Sequence, residues 1–227
     1  MPMAVPIADD GKDAGFGGAF EDIGEEILAE LARQDRLREE ALLLSRRVIR
    51  AAALCIRAVH RADFVQAQGH LSSARQDVIR LEEITTACPL FAGIGYIADA
   101  QKEYAEACLT YALVRQEPFP RPDELHLPVA PYLNALGEAV GELRRAILDA
   151  LRQDSFERCE DYLEIMQQIY DFLAAVDYPD AITGGLRRTT DAVRGIVERT
   201  RADLTTALRQ RRLQVSLEQV AGRLPRP

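Results

Sequence analysis

Gln101-Lys102-Glu103-Tyr104-Ala105-Glu106-Ala107 and Gly137-Glu138-Ala139-Val140-Gly141-Glu142 are the two stretches around which this chain is organised. Glu103 and Glu106 are spaced i,i+3, and Glu138 and Glu142 are spaced i,i+4. On a helix either spacing sets both carboxylates on one face, roughly 5–6 Å apart at Cβ. The neighbours are small: Ala100 and Ala107 beside the first pair, Ala135 and Gly141 beside the second. Small residues let two helices approach closely. Four carboxylates brought together cannot all stay ionised and unpaired at low cost. They either face water or hold cations.

Working outward, the same helical grammar continues. Ala, Leu, Glu and Arg dominate, and these are good helix formers. The 227 residues are 48% hydrophobic and 28% charged, with 6% aromatics and no Trp, which suits a globular all-α chain. Strand alternation and internal repeats are absent. Residues 1–18 are rich in Gly, Pro and Asp without periodicity and are expected to form a disordered tail, leaving 19–220 as one helical domain.

Six or seven long helices are expected. The first runs from about Phe20 to Arg61, with Ala41, Leu44, Val48, Ala51, Cys55 and Val59 as its apolar stripe. Asp63 is placed to cap a second helix, from about Phe64 to Thr86, ended by Cys88-Pro89. A third covers Leu90 to Glu117 and carries the first acidic pair, with Asp99 one turn before Glu103. Pro118-Phe119-Pro120-Arg121-Pro122 is a loop. A fourth begins near Pro131, with Leu133, Leu136, Val140, Leu143, Ile147 and Leu151 inward and Glu138, Glu142 and Arg145 on the other side. Asp154-Ser155 is expected to cap a fifth, carrying Tyr162, Ile165, Ile169 and Phe172. A last helix spans about Ile182 to Leu217 and is unusually basic, Arg187 and Arg188 at its start included; the end from Ala221 is expected to fray.

Charge narrows the partners. The net charge is −8, and a uniformly acidic surface repels nucleic acid. The basic residues are nevertheless almost all Arg, since Lys12 and Lys102 are the only lysines. Arg46, Arg50, Arg57 and Arg61 fall within a sector of about 60° at 100° per residue, opposite the apolar stripe. This arginine rail is either a solvated face laced with ion pairs or a track for phosphate, which suits the planar guanidinium. His60, at its end, either caps the helix or touches the same phosphates.

Cys55, Cys88, Cys108 and Cys159 show no C-x-x-C spacing and are expected to stay reduced. No basic segment followed by an apolar run marks a secretory signal, and no apolar run approaches the roughly 20 residues that span a bilayer, so a cytoplasmic protein without membrane contact is expected.

Two helices with paired carboxylates could hold Mg²⁺ or Mn²⁺, because hard cations take oxygen ligands. Such ions can orient and activate water against a phosphodiester. A di-iron site needs Glu-x-x-His, and none of His60, His70 and His126 follows a Glu by three. There is no P-loop, no dinucleotide fingerprint, no H-E-x-x-H and no nucleophile elbow.

At this point the residues resemble a known family. Leu44-Ser45-Arg46, Val48 and His60-Arg61 resemble the first conserved helix of translin and translin-associated factor X. Glu103-Tyr104-Ala105-Glu106-Ala107 resembles the acidic motif of translin-associated factor X, and Tyr132-Leu133, Glu138 and Gly141-Glu142-Leu143 resemble its second acidic motif. Tyr170-Asp171, Asp177-Tyr178-Pro179 and Leu186-Arg187-Arg188 resemble the C-terminal half, and the resemblance covers roughly residues 25 to 215.

The resemblance implies a translin-like bundle of about seven helices, assembled as a hollow homo-octamer that takes RNA or single-stranded DNA against its inner wall, where counterion release makes binding salt-sensitive. Acidic residues at all four matching positions imply the catalytic branch, a metal-dependent endoribonuclease. Glu103, Glu106, Glu138 and Glu142 would be both metal ligands and catalytic residues, with Mg²⁺ or Mn²⁺ as cofactor. Arg46, Arg50, Arg57, His60 and Arg61 are the nucleic-acid-binding candidates. The other function the resemblance allows is a translin-like barrel that binds without cleaving. Glu138 stands where the family usually has Asp, and Pro131 where it more often has Asp.

Overall fold

The structure, a computed structural model, describes residues 13–221, with side-chain surroundings for 20–220. Residues 1–12 of the expected tail, and the end expected to fray beyond Ala221, lie outside the described residues. The described residues form seven α-helices in order: α1 Asp13–His60, α2 Phe64–Ala87, α3 Gly95–Arg115, α4 Val129–Leu151, α5 Cys159–Ala175, α6 Asp180–Thr183 and α7 Leu186–Ala221. The described residues contain no strand, and the fold is an all-α bundle. No described helix is long and apolar enough to cross a membrane.

Helix ends are set by local chemistry. Asp63 caps α2 by accepting a hydrogen bond from the Gln66 backbone N–H at 3.1 Å. Ala62 before it takes a φ of 58°, which reverses the chain after α1. Pro89 opens a single 3₁₀ turn, Pro89–Phe91, so α3 starts at Gly95 rather than at Leu90. The expected cap of α5 at Asp154-Ser155 is not formed. Asp154 turns the chain with a φ of 53°, and α5 begins only at Cys159. The expected single helix from Ile182 is two helices: Gly184 and Gly185 adopt φ of 63° and 81°, a conformation open to glycine, and the chain bends between α6 and α7.

Helix α3 is the centre of the bundle, packed by α1, α2 and α4. Every residue from Tyr104 to Thr110 is buried. A helix enclosed on all sides shows little apolar periodicity, and Ala100, Ala105 and Ala107 make that enclosure possible by leaving room for neighbouring backbones. Outside it, α4 buries Leu133, Leu136, Val140, Leu143 and Ile147, each worth about 1.5–3 kcal/mol of transfer free energy. α5 turns Tyr162, Met166, Ile169 and Leu173 inward, whereas Phe172, expected in the stripe, is exposed. Arg47 and buried Asp77 tie α1 to α2 through a two-point ion pair, one arm of it 2.9 Å long. All four cysteines are free and buried.

The close helix approach falls one turn earlier than the sequence suggests. Gly141 has open space around it, while a Cβ on Gly137 would lie 2.3 Å from Thr189 Cγ2 of α7. Thr189 cannot easily swing away, because its hydroxyl donates to Asn134 Oδ1 at 2.6 Å. The amide of Asn134 donates to the Thr183 carbonyl at 2.9 Å, so one buried side chain binds α4, α6 and α7 together. Replacing Gly137 by Ala is expected to destabilise the protein by about 1–3 kcal/mol through overpacking. Gly141→Ala is expected to stabilise it by about 0.5–1 kcal/mol through helix propensity alone. Thermal melts of the two variants check this pair; equal effects would contradict the assigned contact.

Candidate active site

The four carboxylates come from two adjacent helices. Glu103 and Glu106 stand on α3, and Glu138 and Glu142 on α4, which packs against it. They differ in burial. Glu106 is buried, Glu103 and Glu142 are partly buried, and the Glu138 side chain is 50% exposed.

Their partners differ too. Lys102 lies between the helices, with Nζ 3.5 Å from Glu138 Oε1 and 3.9 Å from Glu103 Oε1. Glu142 meets the imidazole of His60 through Nε2 and has Arg145 at 3.8 Å. Among the described residues, Glu106 has no cationic side chain within ion-pairing distance. Burial pushes its carboxyl up to about 8, and the negative charges of Glu103, Glu142 and Glu138 add to the rise, with Lys102 opposing it. Glu103 is raised as well, first by burial and then by Glu138 and Asp99, against the pull of Lys102. All three other carboxylates therefore act on Glu106: the sequence-selected set is one electrostatic cluster.

Chemically this is a hard-oxygen donor set carrying an excess of negative charge, and it suits a divalent cation such as Mg²⁺ or Mn²⁺. Among the described residues, no three Asp, Glu, His or Cys side chains converge into ready-made coordination. Binding an ion would require the carboxylates to turn toward one another, with Lys102 and His60 yielding part of their hold on Glu138, Glu103 and Glu142.

The nucleic-acid candidates divide. Arg46, Arg50 and Arg57 are exposed along α1, on the face opposite its buried stripe, and Arg61, exposed in the turn just after α1, donates to Gln66 Oε1 at 2.8 Å. His60 leaves this rail: its side chain is only 7% exposed and belongs to the acidic cluster. Sequence reasoning missed Lys102 as a member of the site. Its signal was compositional, one of two lysines in an arginine-rich chain, placed beside Glu103.

The raised carboxyl of Glu106 has a definite consequence. Its folded value, about 8, lies above its ordinary value of 4.5. The folded state therefore holds the proton more tightly, and this stabilisation is complete below about 4.5 and lost as pH rises through about 8. In chelator, the Tm of the parent is expected to fall more between pH 6 and 9 than that of Glu106→Gln, by thermal melting. Parallel curves would contradict the buried, unneutralised carboxyl.

No protein-family model matches the chain. It is similar to an uncharacterized protein of Methanocaldococcus jannaschii, with 33% identity over 196 residues that make up 86% of each chain. Among solved structures it is similar to AfC3PO in complex with duplex RNA, at 31% identity and a TM-score of 0.72 over 82% of this chain and 97% of that one. AfC3PO by itself matches with 30% identity and the same TM-score of 0.72. Apo-NeC3PO, at 22% identity and a TM-score of 0.68, shares the fold.

Proposed function

We propose a function from one premise: the chain belongs to the translin and translin-associated factor X family, the C3PO proteins. Within it, the chain is read as a metal-dependent endoribonuclease acting mainly on single-stranded RNA, in the cytoplasm. The observation that carries this reading is Glu106, a buried carboxylate surrounded by three others and left without a cation of its own. A structural role would be served as well by Gln, at lower electrostatic cost.

Glu103, Glu106, Glu138 and Glu142 would hold Mg²⁺ or Mn²⁺. When bound, such an ion supplies positive charge against the phosphodiester and lowers the pKa of a water. The residues of the chain do the rest. His60 orients Glu142 from the end of α1, and Lys102 holds Glu103 and Glu138 across the gap between α3 and α4. The protonated form of Glu106 near neutral pH gives a proton that a cation would displace. The Glu at 138, one methylene longer than the usual Asp, reaches Lys102 from an exposed position and can withdraw from it.

RNA is the expected partner by family, and AfC3PO has been solved with duplex RNA. Arg46, Arg50, Arg57 and Arg61 supply a cationic face for phosphates. Self-association is supported by uncovered apolar side chains on two helices, Phe20, Ile27 and Leu31 on α1 and Leu213, Leu217 and Val220 on α7, and the family likeness extends this reading to a hollow homo-octamer. The second reading, a non-catalytic barrel that binds RNA or single-stranded DNA, is favoured by the cluster having no ready-made coordination and by Lys102 already neutralising part of it.

Two expected outcomes separate these readings. Cleavage of single-stranded RNA is expected with Mn²⁺ and not with chelator, and Glu106→Ala should reduce it by about 10²-fold or more, the scale of several kcal/mol of lost charge stabilisation. Cleavage by that variant at the parent rate would leave only the binding reading. Charge reversal at Arg46 and Arg50 together is expected to weaken RNA binding by roughly an order of magnitude or more at low salt. An unchanged anisotropy titration would remove the rail from the interface.

A further inference from the structure

Beyond the acidic cluster, on its α7 side, lies a cavity of about 330 Å³. Asp99, Lys102 and Glu138 line one wall, and Gly184, Gly185 and Arg188 line the other. Neither the acidic cluster nor the arginine rail uses Arg188. The position of α7 here is firmly held. Asn134 binds the Thr183 carbonyl and the Thr189 hydroxyl, and the bare Cα of Gly137 lets Thr189 sit against α4 one residue before Glu138. Arg188 is thus fixed by its backbone across from the carboxylates, although its side chain is exposed.

The charges on the two walls are complementary in use. Asp99 and Glu138 repel a polyanion, so a phosphodiester reaching the acidic cluster needs a cation close to its approach. Lys102 is largely committed to Glu138 and Glu103. Arg188 takes part in no ion pair among the described residues, and its planar fork suits phosphate oxygens. We propose that Arg188 forms a phosphate-binding subsite that holds the RNA backbone beside the acidic cluster, on the α7 side. The subsite rests on the reading that RNA is the substrate. It selects for a chain that continues past the cleaved bond, so it favours internal positions over isolated nucleotides.

The test is binding of a fluorescein-labelled single-stranded oligoribonucleotide in EDTA, read by anisotropy over a series of KCl concentrations. Arg188→Ala is expected to weaken binding about tenfold at low salt and to lower the slope of log K against log salt by roughly one unit. Arg188→Lys should recover much of the affinity. Arg187→Ala, one position away and outside this cavity, should stay within about twofold of the parent, as expected for a charge without a phosphate contact. In Mn²⁺, Arg188→Ala should raise KM and largely spare kcat. Binding by Arg188→Ala equal to the parent, or equal losses from Arg187→Ala and Arg188→Ala, would overturn the subsite. Arg188-dependent binding without any cleavage by the parent supports the subsite and overturns the nuclease reading. A parent that binds no RNA overturns both.

Discussion

Glu106 is an acid on a helix that is enclosed by three others, and the bundle must answer its charge from within. A buried carboxylate without a partner is costly, and like charges nearby raise the cost. Here the neighbours are Glu103, Glu138 and Glu142, and the polar partners within reach are spent on them: Lys102 on the first two, the His60 imidazole and Arg145 on the last. The remaining relief is a proton, which is why the carboxyl rises to about 8. A divalent ion would give the same relief more strongly. The position is thus a point of stored electrostatic stress, of the kind that marks functional sites more often than structural ones.

Helix α4 connects this stress to the rest of the molecule. Its apolar stripe fills the core. Its Glu138 and Glu142 complete the acidic cluster, and between them and the core stand Asn134 and Gly137, which lock it to α6 and α7. One helix therefore sets the spacing of the carboxylates against α3 and the position of Arg188 against the carboxylates. A shift of α4 would move both.

Much of this was legible in the sequence. The stripes of α1 and α4 follow the 3.6-residue period, and Asp63 and Pro89 mark breaks through chemistry that acts within a few residues. Where local signals competed, the reading slipped. Asp154-Ser155 looks like a cap, but the chain turns there and α5 starts at Cys159. Phe172 fits a stripe by spacing, but Leu173 takes the buried place. Gly184-Gly185 interrupts a helical pattern that the flanking residues would have carried through.

The sequence by itself determined the all-α class, the two acidic pairs and the arginine face, because each depends on residue type and helical period alone. The tertiary structure decided what those groups meet. His60 is 82 positions from Glu142 and ends a helix whose arginine face the sequence left open between solvent and phosphate, yet the crossing of α1 brings it into the acidic cluster. Lys102 reaches Glu138 only because α3 and α4 are adjacent, and the tight approach falls at Gly137 rather than Gly141 because α7 packs there. Spacing along a helix is local, whereas pairing between helices depends on how the buried faces of the whole bundle fit.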